Sequence, residues 1–108
     1  MGVSKPWGSE DWWVLPRVVL KKLFIKANNR FSLQFHNFKE EILYVVEGTG
    51  VFVLGEESFD YKPGDCFKIP TKTIHRVEAK EETVIIEAST TELSDVVRGK
   101  DDYDRVEQ

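Results

Sequence analysis

The chain has very little cysteine. Cys66 stands alone among 108 residues, so no disulfide can form within the chain, and a reducing compartment, the cytoplasm, is the expected location. Its surroundings, Cys66-Phe67-Lys68-Ile69, are those of a packed thiol rather than a reactive one. Long apolar runs are also missing. Tyr44-Val45-Val46 and Val51-Phe52-Val53-Leu54 break off after a few residues, far short of the roughly 20 that a spanning helix needs, so no membrane partner is expected. Positive charge is not in excess: the formal net charge is -4 and the pI about 5.2. Binding driven by counterion release from nucleic acid is therefore not expected. The segment Met1 to Trp7 has one basic residue and no apolar stretch behind it, so it does not read as a secretory signal.

What is present is ordinary for a folded chain. Hydrophobic residues make up 41% and charged residues 31%, which excludes a disordered composition. At this length one core must do everything, and residues 1–108 read as a single domain with no repeat and no flexible linker. The dominant pattern is short β segments. Val18 to Ala27 places Val18, Leu20, Leu23 and Ile25 among lysines, and Asn28-Asn29 supplies a turn that tolerates left-handed backbone. Phe31 to His36 alternates, with Ser32, Gln34 and His36 on one face.

Ile42 to Glu47, the break Gly48-Thr49-Gly50 and then Val51 to Leu54 read as a hairpin. Strands are also expected at Ser58 to Tyr61, Cys66 to Ile69, Ile74 to Val77 and Thr83 to Ala88, separated by turns such as Lys62-Pro63-Gly64-Asp65. Many short strands at near-regular spacing argue for a sandwich or barrel. After Thr90 the pattern changes, and a short helix or coil lying on the barrel is expected there.

Only two histidines occur. His36 ends one expected strand and Glu41 begins the next, so the two can converge; Gln34 shares the face of His36. His75 follows the turn after Pro70, at the end of another short strand.

Those residues resemble the cupins. The stretch from Ser32-Leu33-Gln34-Phe35-His36 through Glu41 to Gly48 is similar to their first motif, a spaced histidine pair followed by a glutamate and a glycine. Gly64, Pro70 and His75 are similar to the second. More narrowly, Lys5-Pro6-Trp7-Gly8, Ser32-Leu33-Gln34 and Asp101-Asp102-Tyr103-Asp104-Arg105 resemble the cupin domain of type II mannose-6-phosphate isomerases. The resemblance implies an all-β, single-domain cupin, a double-stranded β-helix or jelly-roll barrel. Four positions depart from the motifs: Phe38 replaces the second histidine, Lys39 an arginine, Lys72 the glycine after Pro70, and Ala79 the closing asparagine.

Carried over residue by residue, the resemblance implies a metal site of His36, Glu41 and His75, with Gln34 as a fourth oxygen donor. A set of this kind suits Zn, Mn, Fe, Co or Ni. The implied reaction is aldose–ketose isomerisation of a sugar phosphate, with Glu41 or Lys39 moving the proton and Glu87 as a substitute. Arg76 is the first cation to consider for the phosphate, with Lys72, Arg105 and Arg30 behind it. Trp7, Trp12 and Trp13 fill a core or a subunit contact, or stack on the sugar. The alternative is a non-catalytic sugar-binding or regulatory cupin whose degenerate site has lost its metal; an iron oxygenase ranks last, because it needs a fuller ligand set. A homodimer is expected, with the pairing surface left open.

Overall fold

In a computed structural model the described residues are 2–91 and 96–100. Two antiparallel sheets face one another. The first takes β1 (Gly2–Lys5), β2 (Gly8–Val14), β3 (Val19–Ile25), β5 (Glu41–Glu47), β8 (Cys66–Ile69) and β10 (Thr83–Ser89), in the order β1-β2-β3-β10-β5-β8. The second takes β4 (Leu33–Phe35), β6 (Gly50–Leu54), β7 (Glu57–Tyr61), β9 (His75–Ala79) and β11 (Val97–Lys100), in the order β11-β4-β9-β6-β7. The fold is an all-β barrel of two sheets, as expected. Among the described residues no helix is long and apolar enough to cross a membrane.

Period-two alternation explains which side chains meet inside. Along β3, Val19, Lys21, Leu23 and Ile25 are buried or nearly so, and along β5 Glu41, Leu43 and Val45 are buried while Ile42, Tyr44 and Val46 are exposed. Leu23, Ile25, Leu43, Val45 and Ile85 from the first sheet pack on Phe52 and Val77 from the second. This apolar half of the barrel fixes the sheets in register and leaves the other half to polar side chains.

Two readings of the sequence need correction. Glu41–Glu47 and Gly50–Leu54 are not a hairpin: β5 pairs with β10 and β8, whereas β6 pairs with β7 and β9. Glycines announce a change of direction but do not say which strand is the partner, and here the chain crosses between sheets. Gly48, at φ +97°, lies where a Cβ would strike the Glu82 carbonyl and Thr83. The C-terminal helix or coil gives way at Val97–Lys100 to β11, which covers the outer edge of the short β4. An unpaired edge favours a strand, and a tertiary partner overrides a weak local pattern. Residues 92–95 and 101–108 lie outside the described residues.

The strands β1 and β2 are an addition to the reading. Lys5 and Gly8 are paired across the turn Pro6-Trp7. Gly8 passes so close to β3 that a Cβ there would meet the Phe24 carbonyl at 1.7 Å. That approach aims the buried Trp7 ring inward against Phe31, with centroids 5.9 Å apart. Trp12 reaches the barrel cavity, whereas Trp13 is exposed on the outer face.

Candidate metal centre

His36 follows β4, Glu41 opens β5 and His75 opens β9. β4 and β9 are neighbours in the second sheet and β5 belongs to the first, so Glu41 meets the two imidazoles across the lumen. Two clamps set the loop that joins β4 to β5. The Lys72 amide donates to the His36 carbonyl at 2.6 Å, and the Glu40 amide and carbonyl bond to Thr90. Lys72 itself adopts φ +59°, at the position where the motif carries glycine.

Glu41 Oε2 lies 2.7 Å from His36 Nε2 and 3.6 Å from His75 Nε2. One ligand atom from each of the three residues lies within 4.8 Å of the others, and all three side chains are buried. Two donors bonded to a common ion at about 2.0–2.2 Å stand roughly 3 to 3.6 Å apart, so small side-chain adjustments suffice to close the set on a cation. His75 Nδ1 lies 3.0 Å from the Thr73 carbonyl. A carbonyl only accepts, so Nδ1 carries the hydrogen and Nε2 faces the carboxylate, the orientation that ligating imidazoles adopt. Two nitrogens and one carboxylate oxygen fit a divalent transition ion, and the His/Glu/His group could hold one.

Charge in the pocket extends beyond these three. Lys39 Nζ lies 3.1 Å from Glu87 Oε2 and 4.0 Å from Glu41 Oε2. Glu87 sits beside Lys21 in the β10–β3 register, and Lys21 lies 3.8 Å from Glu10. The Trp12 indole nitrogen donates to Glu10 at 2.6 Å, and the Lys21 ammonium rests 4.2 Å from the Trp12 ring centre. Burial pushes the Glu41 carboxyl up, yet the His36 imidazole, Lys39 and His75 outweigh it and hold the group at about 2. For Glu87, burial and then the charge of Glu41 raise the value. Burial works against the Lys39 ammonium, but Glu87 and Glu41 pull its value above the ordinary one. Burial lowers His75 and Lys21.

The structure thus brings His36, Glu41, His75, Gln34 and Lys39 to one cavity. The Gln34 amide donates to the Ser32 carbonyl at 3.4 Å, and the residue is registered opposite His75. Phe38 is 73% exposed and stands outside the cavity. Arg76 alternates with His75, so it faces the other way; its Nε donates to the Phe31 carbonyl at 2.8 Å. Lys72 is not in the cavity wall, Arg30 pairs with Glu78 at 3.1 Å elsewhere, and Arg105 lies outside the described residues. Sequence reasoning missed Glu10, Lys21 and the inward placement of Lys5. The signal for Lys21 was available: it occupies an inward place in the alternation Val19, Lys21, Leu23, Ile25.

Two facing antiparallel sheets that enclose a carboxylate and two imidazoles define a β-barrel with a candidate metal centre. The Cupin domain family model matches residues 25–88, and the chain belongs to the cupin family. It is 37% identical over 59 residues to an uncharacterised protein of Methanocaldococcus jannaschii, MJ1618, covering 55% of this chain and 47% of that protein. It is 32% identical over 108 residues to the alginate biosynthesis protein AlgA of Pseudomonas aeruginosa, covering 97% of this chain and 22% of that protein. The chain thus spans about half of the first relative and about a fifth of the second. Mannose-1-phosphate guanylyltransferase of Klebsiella pneumoniae is 28% identical over 95% of this chain and 23% of its own length. Among solved structures, KdgF from Halomonas superposes with a TM-score of 0.76 at 23% identity, covering 80% of this chain and 82% of that one.

Proposed function

We propose that this cupin is a metal-dependent aldose–ketose isomerase acting on a sugar phosphate such as mannose 6-phosphate. One observation carries the reading: the buried Lys39–Glu87 pair stands directly beside the carboxylate and imidazoles of Glu41, His36 and His75. The similarity to proteins of mannose-phosphate and alginate metabolism, which extends over nearly all of this chain, supports the substrate class.

His36, Glu41 and His75 would hold the ion, with the Gln34 oxygen as a fourth donor. When bound, a divalent cation supplies Lewis acidity toward the oxygens on the two carbons that exchange oxidation state. The residues do the rest. Glu87, whose carboxyl is raised by burial, takes the proton from one carbon and returns it to the next. Lys39 lies within 3.1 Å of Glu87 and donates toward the charge that gathers on oxygen, so proton and charge are handled on one side of the lumen. Glu41, held at about 2, stays anionic and serves the ion rather than the proton.

The proposed setting is a cytoplasmic homodimer, and the outer face of the first sheet supports pairing. Trp13, Leu20, Ile42, Tyr44 and Val46 are each at least two-fifths exposed, on strands where Leu20, Ala88 and Ile42 stand in one cross-strand row. The apolar hairpin residues Val14, Leu15 and Val18 are likewise exposed, and exposed apolar side chains gathered on one face mark an interaction surface.

The test is elemental analysis of purified protein, then a mannose 6-phosphate to fructose 6-phosphate assay with added divalent ions. Turnover that is abolished by His75→Ala, together with loss of bound metal, supports the isomerase. No turnover with any ion, despite sugar binding, favours the non-catalytic sugar-binding cupin.

A further inference from the structure

Among the described residues, six charged side chains line the cavity: Lys5, Lys21 and Lys39, and Glu10, Glu41 and Glu87. They balance. Lys39 is committed to Glu87 and Lys21 to Glu10, both within 4 Å and both buried. Lys5 differs: it is half-buried, and among the described residues no carboxylate lies within ion-pair distance of it. Of the cations picked out along the chain, Arg76, Lys72 and Arg30 are not part of its wall.

The place of Lys5 in the fold makes it more than a surface charge. It closes β1 and is paired with Gly8 across a two-residue turn, and Gly8 is locked against the Phe24 carbonyl of β3. The Lys5-Pro6-Trp7-Gly8 stretch therefore forms a stiff corner that carries Trp7 into the core and Lys5 into the cavity wall. In the sheet, β2, β3 and β10 stand between β1 and the β5 strand that carries Glu41. The lumen joins these separated stations, since Lys5 and Glu41 line one cavity. Added to these described charges, which sum to zero, a divalent ion at Glu41 would bring two positive charges, which a dianionic ligand offsets.

The geometry points to Lys5 as the anchor for an anionic group on the sugar, remote from the carbons that react at the His36–Glu41–His75 end. This inference rests on the isomerase reading for the sugar but not for the anion. A phosphate monoester and a sugar carboxylate share the chemistry an ammonium recognises, and the experiment separates them.

The experiment is calorimetric titration of the protein, with Mn²⁺ added, by mannose 6-phosphate, mannuronate and neutral mannose, for wild type, Lys5→Gln and Lys5→Arg. The expected result is a loss of about tenfold or more for one anionic sugar in Lys5→Gln, an unchanged response to mannose, and recovery in Lys5→Arg. Which anionic sugar shows the loss names the group. Equal weakening of mannose, or undiminished binding of both anionic sugars, overturns the proposal. Thermal unfolding of Lys5→Gln at the wild-type temperature shows that the loss is not one of folding. Selective anion binding without turnover sinks the isomerase and leaves Lys5 standing; turnover whose KM is indifferent to Lys5→Gln sinks Lys5 alone.

Discussion

At the scale of single residues, the buried charges control how the protein responds to acid. In the folded chain the values of His75 and Glu41 both lie below their ordinary 6.5 and 4.5. As pH falls, the unfolded chain therefore takes up each proton first, and stability is lost. His75 acts from about pH 6.5 downward, and Glu41 from 4.5 toward about 2. Glu87, raised by burial, works in the opposite sense through its own titration. For EDTA-treated protein the urea midpoint is expected to be lower at pH 5 than at pH 8, with a smaller drop in His75→Gln; equal midpoints in the wild type would contradict the assignment. The Lys39–Glu87 pair gives a second prediction. Lys39→Met leaves a buried carboxylate without its cation and should cost about 3–5 kcal/mol, whereas adding Glu87→Leu restores most of it. Urea denaturation of the single and double variants reads this directly.

At the scale of elements, turns place the ligands, and one turn is under strain. The stretch between β8 and β9 holds Lys72 at φ +59°, a conformation that costs a side-chain-bearing residue about 1–2 kcal/mol. The Lys72 amide nevertheless fixes the His36 carbonyl. Lys72→Gly keeps that amide and removes the strain, at a smaller cost in unfolded-chain entropy. It should stabilise the protein by roughly 0.5–1 kcal/mol, seen as a raised thermal midpoint, with metal binding unchanged. Much of the element pattern was legible because it is local: Cys66–Ile69 is a strand with the expected bounds, and Asn28, at φ +62°, turns in the left-handed region as an asparagine can. Partner choice was not legible. Nothing in Gly48-Thr49-Gly50 says that β5 and β6 belong to opposite sheets, and the edge of β4 that makes Val97–Lys100 a strand exists only after folding.

At the scale of the whole molecule, the outer face of the six-stranded sheet gives the remaining prediction. If two copies bury it, then Ile42→Glu combined with Tyr44→Lys, both outward on β5, should convert a dimer to a monomer in sedimentation while circular dichroism stays unchanged. A wild-type protein that sediments as a monomer at high concentration would dismiss the pairing. The lumen is insulated from such a change, because its charged residues lie on the opposite faces of the same strands.

The chain's own order of residues determined the β class, the approximate strands and the three ligand candidates, since alternation, turn chemistry and motif spacing are properties of neighbours along a chain. Tertiary structure alone decided that His36, Glu41 and His75 meet across two sheets, and that Arg76 turns away. It also assembled Glu10, Lys21, Lys39 and Glu87 into one charged wall. The reason is physical: a side chain's face follows from its local period, but the face opposite it is chosen by which strands pair and how the sheets close.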